Sequence, residues 1–173
     1  MSAPLLTFDN SYVYTYEIID NVPKRPITLR VANISGFIAD RQVASEVNLS
    51  HVGVILGVDE SEAAAPFPSN IYICALDNSG INISTLEHFS SNFPVKIIKP
   101  NPYDLTGILK RLQLLTIDNI PTYNIITSNC QTFVGNMVYG PGASCPNPLL
   151  LIMFVAIVAL FVFTTKKIVS NKK

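Results

Sequence analysis

Apolar and polar positions alternate along the first half of the chain and recur at helical spacing along the second half. Alternating or continuous apolar residues with many β-branched side chains predict strands. These segments are residues 12–17, 27–32, 36–39, 51–58, 71–76 and 95–98. Segments 21–26 and 77–80 contain proline, asparagine or glycine and indicate turns, whereas 59–70, with three acids and two prolines, indicates an exposed loop.

Helical spacing appears in three segments, at 84–89, 104–116 and 130–140. The middle segment is the clearest, because its apolar residues share one face of an amphipathic helix. Those residues are Leu105, Ile108, Leu109, Leu112 and Leu115. Strands followed by helices predict an α+β domain with packed helices.

The third helical segment begins at a cysteine. Cys130 follows the β-branched run 123–126, and Ser128 or Asn129 is expected to cap the helix, which Gly140 then ends. A thiol in the first helical turn lies near unpaired backbone N–H groups and the positive end of the helix dipole, and both stabilise the thiolate. The position therefore suits a nucleophile, although a buried, unreactive cysteine is the alternative.

The C-terminal part of the chain has a different composition. Residues 149–163 contain no polar side chain, and two threonines extend this stretch to 17 positions, near the minimum for crossing a bilayer. The preceding segment, 141–148, is rich in proline and glycine, and 166–173 contains four lysines. The sequence thus predicts a domain at 1–140, a linker at 141–148, a transmembrane anchor at 149–165 and a basic tail at 166–173.

The net charge of zero conceals an asymmetry between the two ends. Residues 1–165 carry eight Lys and Arg against 12 Asp and Glu, a net of −4, and the tail carries +4. No basic patch suits nucleic acid, whereas the tail suits an anionic lipid surface, so a phospholipid membrane is the expected partner. Without an N-terminal signal peptide, a single-pass topology with a C-terminal anchor and a cytosolic N-terminal domain is expected. The short anchor favours an intracellular organelle membrane, and three cysteines, an odd number, fit a reducing compartment.

A base for the thiol is available in one of the two histidines. His88 lies in the short helical segment and is expected at the surface or half-buried, whereas His51 opens an apolar strand. A core histidine satisfied by hydrogen bonds is the alternative for His51. A histidine at a strand end and a cysteine at a helix start are the pair that papain-like chemistry needs, with His51 as general base and Cys130 as nucleophile. No spacing of His and Cys predicts a metal site, and no cofactor is expected.

Three features together resemble the lecithin:retinol acyltransferase-like family. They are SHVGVILG around His51, YNIITSNCQTFVGNMVYG around Cys130, and the apolar C-terminal stretch. The resemblance covers roughly residue 36 to the C-terminus, and the family's cysteine block, Asn-Cys-Glu-His-Phe-Val, matches the chain at Asn129, Cys130, Phe133 and Val134. It implies a circularly permuted, NlpC-type papain-like domain with an antiparallel sheet.

The resemblance also implies a function and a third site residue. Small members of the family are tail-anchored phospholipases A and acyltransferases, which implies a membrane-anchored enzyme that acts on glycerophospholipids through an acyl-Cys130 intermediate, with acyl donor and acceptor lipids as partners. The family's second histidine, which orients the first, corresponds in position to Cys74. Asp77 or a backbone carbonyl is the alternative by hydrogen-bond chemistry. Strand alternation lets only one of Cys74 and Asp77 face His51 unless the strand twists or bulges.

Two other functions remain open from the sequence. Related permuted papain-like domains cleave peptides or ubiquitin-like conjugates, so a cysteine peptidase or isopeptidase is one alternative. A non-catalytic membrane-tethered adaptor is the other, because the second histidine is replaced.

Overall fold

The chain was studied as a computed structural model, which describes residues 4–9, 11–44, 49–61, 69–116, 119–124 and 127–143. Eight strands and three short helices form within these ranges. The strands are β1 (Leu6–Phe8), β2 (Tyr12–Ile19), β3 (Val22–Arg30), β4 (Ile38–Ala44), β5 (Leu49–Asp59), β6 (Ile71–Asp77), β7 (Gly80–Thr85) and β8 (Val95–Ile98). The helices are α1 (Leu86–Ser90), α2 (Leu105–Gln113) and α3 (Cys130–Tyr139).

All eight strands belong to one antiparallel sheet. Its order is β1-β2-β7-β6-β5-β4-β8, and β3 pairs with both β2 and β5. The strands predicted at 12–17, 51–58, 71–76 and 95–98 and the helices at 104–116 and 130–140 are confirmed with small changes of boundary. The predicted fold class, an α+β papain-like domain with packed helices and a transmembrane helix, is wrong, because the described residues form a mostly antiparallel sheet with few helices.

The predicted turn at 21–26 is instead the first half of β3. Pro23 and Pro26 lie opposite Ile18 and Tyr16 of β2. Because β3 pairs with β5 only at Leu29 and Arg30, its other edge meets no described strand near the prolines, and proline is tolerated at such an edge. The prolines indicated a turn, and the first half of β3 was therefore not predicted.

β7 is a second element that the sequence pattern did not indicate. Its six residues continue directly into α1, and Thr85 ends the strand and also caps the helix, accepting a hydrogen bond from the His88 N–H at 3.1 Å. Residues 84 and 85 are polar and precede Leu86 and Phe89, which lie three positions apart as on one face of a helix, and the pattern therefore suggested that the helix began at 84.

The sheet has an apolar cluster on each face. The first cluster contains Val52 and Val54 of β5 and Cys74 of β6, and packs against α2 and α3. The second contains Ile55 of β5 and Ala75 of β6, and packs against α1. Side chains alternate between faces along each strand, so β5 and β6 contribute to both clusters, and α1 and α3 lie on opposite sides of them.

The predicted membrane anchor is not supported. Across the described ranges, none of the helices has the length and apolar character needed to cross a bilayer. This finding contradicts the predicted single-pass membrane location with a cytosolic N-terminal domain, and that prediction is withdrawn. Residues 149–165, on which it rested, lie outside the described part of the chain.

Candidate functional site at the start of helix α3

Cys130 is the first residue of α3, as the sequence predicted. Asn129 is the N-cap, and its side chain accepts a hydrogen bond from the Thr132 N–H at 3.0 Å. The Thr132 hydroxyl lies 2.8 Å from the Asn129 N–H and completes a capping box. These two bonds use backbone groups of residues 129 and 132, which leaves the N–H groups of Cys130 and Gln131 directed toward the thiol.

The start of α3 lies against the part of β5 that extends beyond its pairing with β6. The β5–β6 ladder ends at the pair Gly53–Ala75. The backbone groups of Ile55 bond to the segment that leads into β4, and since such groups alternate along a strand, those of Ser50 and Val52 face the β6 side. The Gln131 side-chain amide donates to the Ser50 carbonyl at 3.0 Å. The Val52 N–H stabilises the Cys130 sulfur.

The thiol is buried and protonated in its resting state. Cys130 is 4% exposed, and burial raises its pKa. The backbone N–H groups of Val52, Gln131 and Cys130, together with the Arg41 charge, oppose that increase because they favour the thiolate. The thiol itself donates to the Gln131 Oε1 at 3.1 Å. The site therefore contains an anion-stabilising group of N–H donors around a neutral thiol.

His51 adjoins this group through the backbone, since it precedes Val52, but its side chain lies on the α1 side of the sheet. Its imidazole stacks on the Phe89 ring of α1, with ring centroids 5.3 Å apart and an interplanar angle of 27°. No hydrogen bond joins the side chains of His51 and Cys130 among the described residues. The two predicted catalytic residues are thus brought to the same end of β5 but are not in direct hydrogen-bond contact in this conformation.

The protonation state of His51 follows from its surroundings. Burial lowers its pKa to about 4, the Arg41 charge lowers it further, and Asp77 opposes both effects. Arg41 lies directly opposite His51 in the β4–β5 ladder. At neutral pH the imidazole is therefore uncharged and has a lone pair that can accept a proton.

Asp77 lies on the same face of the sheet as His51 but is engaged elsewhere. Its Oδ1 accepts hydrogen bonds from the N–H and hydroxyl of Ser79, at 2.8 and 2.6 Å, and its Oδ2 accepts from the Asn82 amide at 2.8 Å. Both oxygens thus hold the β6–β7 turn. Asp77 influences His51 through its charge rather than through a hydrogen bond.

Cys74 does not approach His51. It is completely buried in the cluster under α3, on the opposite face of the sheet from the imidazole, and burial raises its pKa to about 12. Of the residues suggested to orient His51, the structure brings Asp77 to the correct face and leaves Cys74 in the core. Cys74 acts there as a small apolar side chain.

Three residues near the site were not singled out by the sequence. Gln131 contacts both the thiol and β5, Arg41 influences both candidate catalytic groups, and Phe89 stacks on the imidazole. Phe89 adjoins His88, which is exposed on α1. In the described ranges, no group of three His, Cys, Asp or Glu side chains is arranged to hold a metal ion.

Comparisons with protein-family models, with curated proteins and with solved structures found no match to this chain.

Proposed function

We propose that this protein is a thiol acyl-transfer enzyme in which Cys130 accepts an acyl group from an ester as a thioester. The observation that supports this best is the set of backbone N–H groups around the sulfur, from Val52, Cys130 and Gln131. Donors held in this way stabilise negative charge without reorganisation, first on the thiolate and then on the oxygen of a tetrahedral intermediate. A buried cysteine with only a packing role does not require such donors.

The reaction begins with a neutral thiol and a neutral imidazole, because the pKa of Cys130 is raised and that of His51 is lowered. Both shifts disfavour a resting thiolate–imidazolium pair. His51 therefore takes the thiol proton as sulfur attacks the ester carbonyl, and the new C–S bond forms as the carbonyl electrons move to oxygen. Collapse of this intermediate breaks the C–O bond, and His51 returns the proton to the leaving alcohol.

The acyl-Cys130 thioester is then resolved by a second nucleophile. Water gives a free acid and therefore hydrolysis, and an amine or hydroxyl gives acyl transfer, with His51 taking and returning one proton in either case. Proton exchange requires the Cys130 thiol to leave the Gln131 Oε1 and turn toward the imidazole, which stays stacked on Phe89. Catalytic hydrogen bonds are often long in proteins without substrate and shorten when substrate binds.

The acyl donor that we propose is a glycerophospholipid. This choice is supported by the resemblance of the segments around His51 and Cys130 to the lecithin:retinol acyltransferase-like family. The runner-up is a peptide or isopeptide carbonyl, which the same thiol chemistry would attack.

The test is intact-mass analysis of the full chain after incubation with phosphatidylcholine in mixed micelles and an acid quench. We expect a mass increase equal to one fatty acyl group, which hydroxylamine removes, and which is absent from Cys130→Ser. Cys74→Ala is the matched control, since it removes the other described cysteine and should retain the adduct. No adduct with lipid, combined with labelling of Cys130 by a ubiquitin-like vinyl sulfone, would replace this proposal with an isopeptidase. Failure of both reagents to modify Cys130 would leave a non-catalytic binding protein.

A further inference from the structure

In the described part of the chain, neither Asp77 nor Cys74 orients the His51 imidazole by a hydrogen bond, as a third side chain does in related triads. Both Asp77 oxygens bond to Ser79 and Asn82, and Cys74 lies on the other face of the sheet. A histidine without such a partner loses activity if its ring is free to rotate. Some other contact must therefore limit that rotation if His51 acts as a base.

The contact that does so in this structure is the aromatic ring of Phe89. The nearly parallel rings, 5.3 Å apart at 27°, have the separation of a favourable aromatic pair. Phe89 is itself only 6% exposed and belongs to the apolar cluster under α1. Its ring is therefore held by packing in that cluster as well as by its contact with His51.

Arg41 fixes Phe89 through the backbone of α1. Its Nη1 donates to the Phe89 carbonyl at 2.7 Å and to the Ser91 hydroxyl at 3.1 Å. Its guanidinium carbon lies 5.5 Å from the centre of the Phe89 ring, within the range of a cation–π contact. Since Arg41 of β4 lies opposite His51 of β5 in the sheet, its side chain connects the strand beside the imidazole to the helix that carries the stacked ring.

We propose that Phe89, held by Arg41, is the positioning residue for His51 and replaces the hydrogen-bonding third member of a catalytic triad by an aromatic stack. The stack restricts rotation of the imidazole, and the Arg41 bonds restrict movement of α1. This inference rests on the proposed role of His51 as the base for Cys130. Phe89 would thus act in the reaction although it lies on the face of the sheet opposite α3.

The test compares Phe89→Leu, which keeps an apolar side chain of similar burial but removes the flat ring, with Phe89→Tyr, which restores it. The control is Leu86→Ala, which weakens the packing of the same helix but keeps the Phe89 ring. The rate of Cys130 alkylation by iodoacetamide is measured from pH 5 to 9, with His51→Ala defining the rate without a base. The acyl-adduct assay is run in parallel.

We expect Phe89→Leu to lower the His51-dependent part of the alkylation rate about tenfold, the upper range for one aromatic contact, with Phe89→Tyr within about twofold of wild type. Leu86→Ala should keep the wild-type pH profile even if its melting temperature falls. A wild-type rate and profile in Phe89→Leu, or an equal loss in Leu86→Ala, would overturn the positioning role. Because alkylation needs no acyl donor, absence of a lipid adduct would reject the proposed substrate while the alkylation profile still decides whether Phe89 positions His51.

Discussion

Acid should destabilise this protein through His51 well before its carboxylates are fully protonated. The pKa of His51 is about 4 in the folded state, lowered mainly by burial, against an ordinary value of 6.5. Between these two values the unfolded chain binds a proton that the folded chain does not, so stability falls as the pH decreases from 6.5 toward 4. The charged groups that affect the pKa of this imidazole are Arg41, which lies opposite His51 in the sheet, and Asp77 on β6.

The magnitude follows from the two pKa values. Relative to its value at high pH, the unfolding free energy is lower by about 0.2 kcal/mol at pH 7, about 2 kcal/mol at pH 5 and about 3 kcal/mol at pH 4. A domain of this kind has a total stability of roughly 5–15 kcal/mol, so the effect at pH 5 is readily measured. In His51→Gln, which has no titrating ring at this position, this part of the pH dependence should disappear.

The assay is urea unfolding at pH 7, 6, 5 and 4, followed by circular dichroism because the chain has no tryptophan. The decisive quantity is the difference in unfolding free energy between wild type and His51→Gln, since the carboxylates contribute equally to both and cancel. His88→Gln, at an exposed position on α1, controls for removal of one histidine. If the difference between wild type and His51→Gln is the same at pH 7 and pH 5, the imidazole is not held neutral by burial and the reasoning fails.

Three further substitutions test the packing around the site. Cys74→His should lower the unfolding free energy by about 3 kcal/mol, because it places a larger polar ring in a fully buried position; unchanged stability with faster adduct formation would instead mean that residue 74 reaches His51. Gln131→Leu should lower the unfolding free energy measured in urea by about 1–2 kcal/mol, because the Ser50 carbonyl loses its hydrogen-bond donor. An unchanged unfolding free energy would show that this bond does not hold α3 to β5. Gly53→Ala should lower the unfolding free energy by about 1–3 kcal/mol, because a Cβ there would lie 2.4 Å from the Ile73 Cγ2. Thermal unfolding measures this change, and a wild-type melting temperature would contradict the expected clash.

Several parts of the site could be predicted from the sequence because they depend on neighbouring residues. The start of α3 follows from the capping side chain of Asn129 and the end from Gly140, and both signals lie within one turn of the helix boundary. β5 and β6 follow from continuous apolar runs. Alternation along β6 also indicated correctly that Cys74 and Asp77 face opposite sides of the sheet.

Other contacts at the site depend on how the strands pair in the folded sheet. The sequence could not show that His51 and Phe89 stack, or that His51 faces Asp77 rather than Cys74, because those facts depend on which strands pair and which face each helix covers. The prolines of β3 illustrate the same limit. Proline is compatible with a strand at an edge that has no partner strand, and next to these prolines one edge of β3 meets no described strand.

The sequence by itself thus determined the positions of β2, β5, β6, β8, α2 and α3 to within a few residues. It also determined that Cys130 begins a helix and that His51 lies near the start of a strand. The tertiary structure decided which groups meet at the site. The Arg41–Phe89 bond joins residues 48 positions apart and the Gln131–Ser50 bond joins residues 81 apart. Capping and periodicity act over a few residues and leave a local pattern, whereas contacts of this range form only as a consequence of the pairing of the whole sheet.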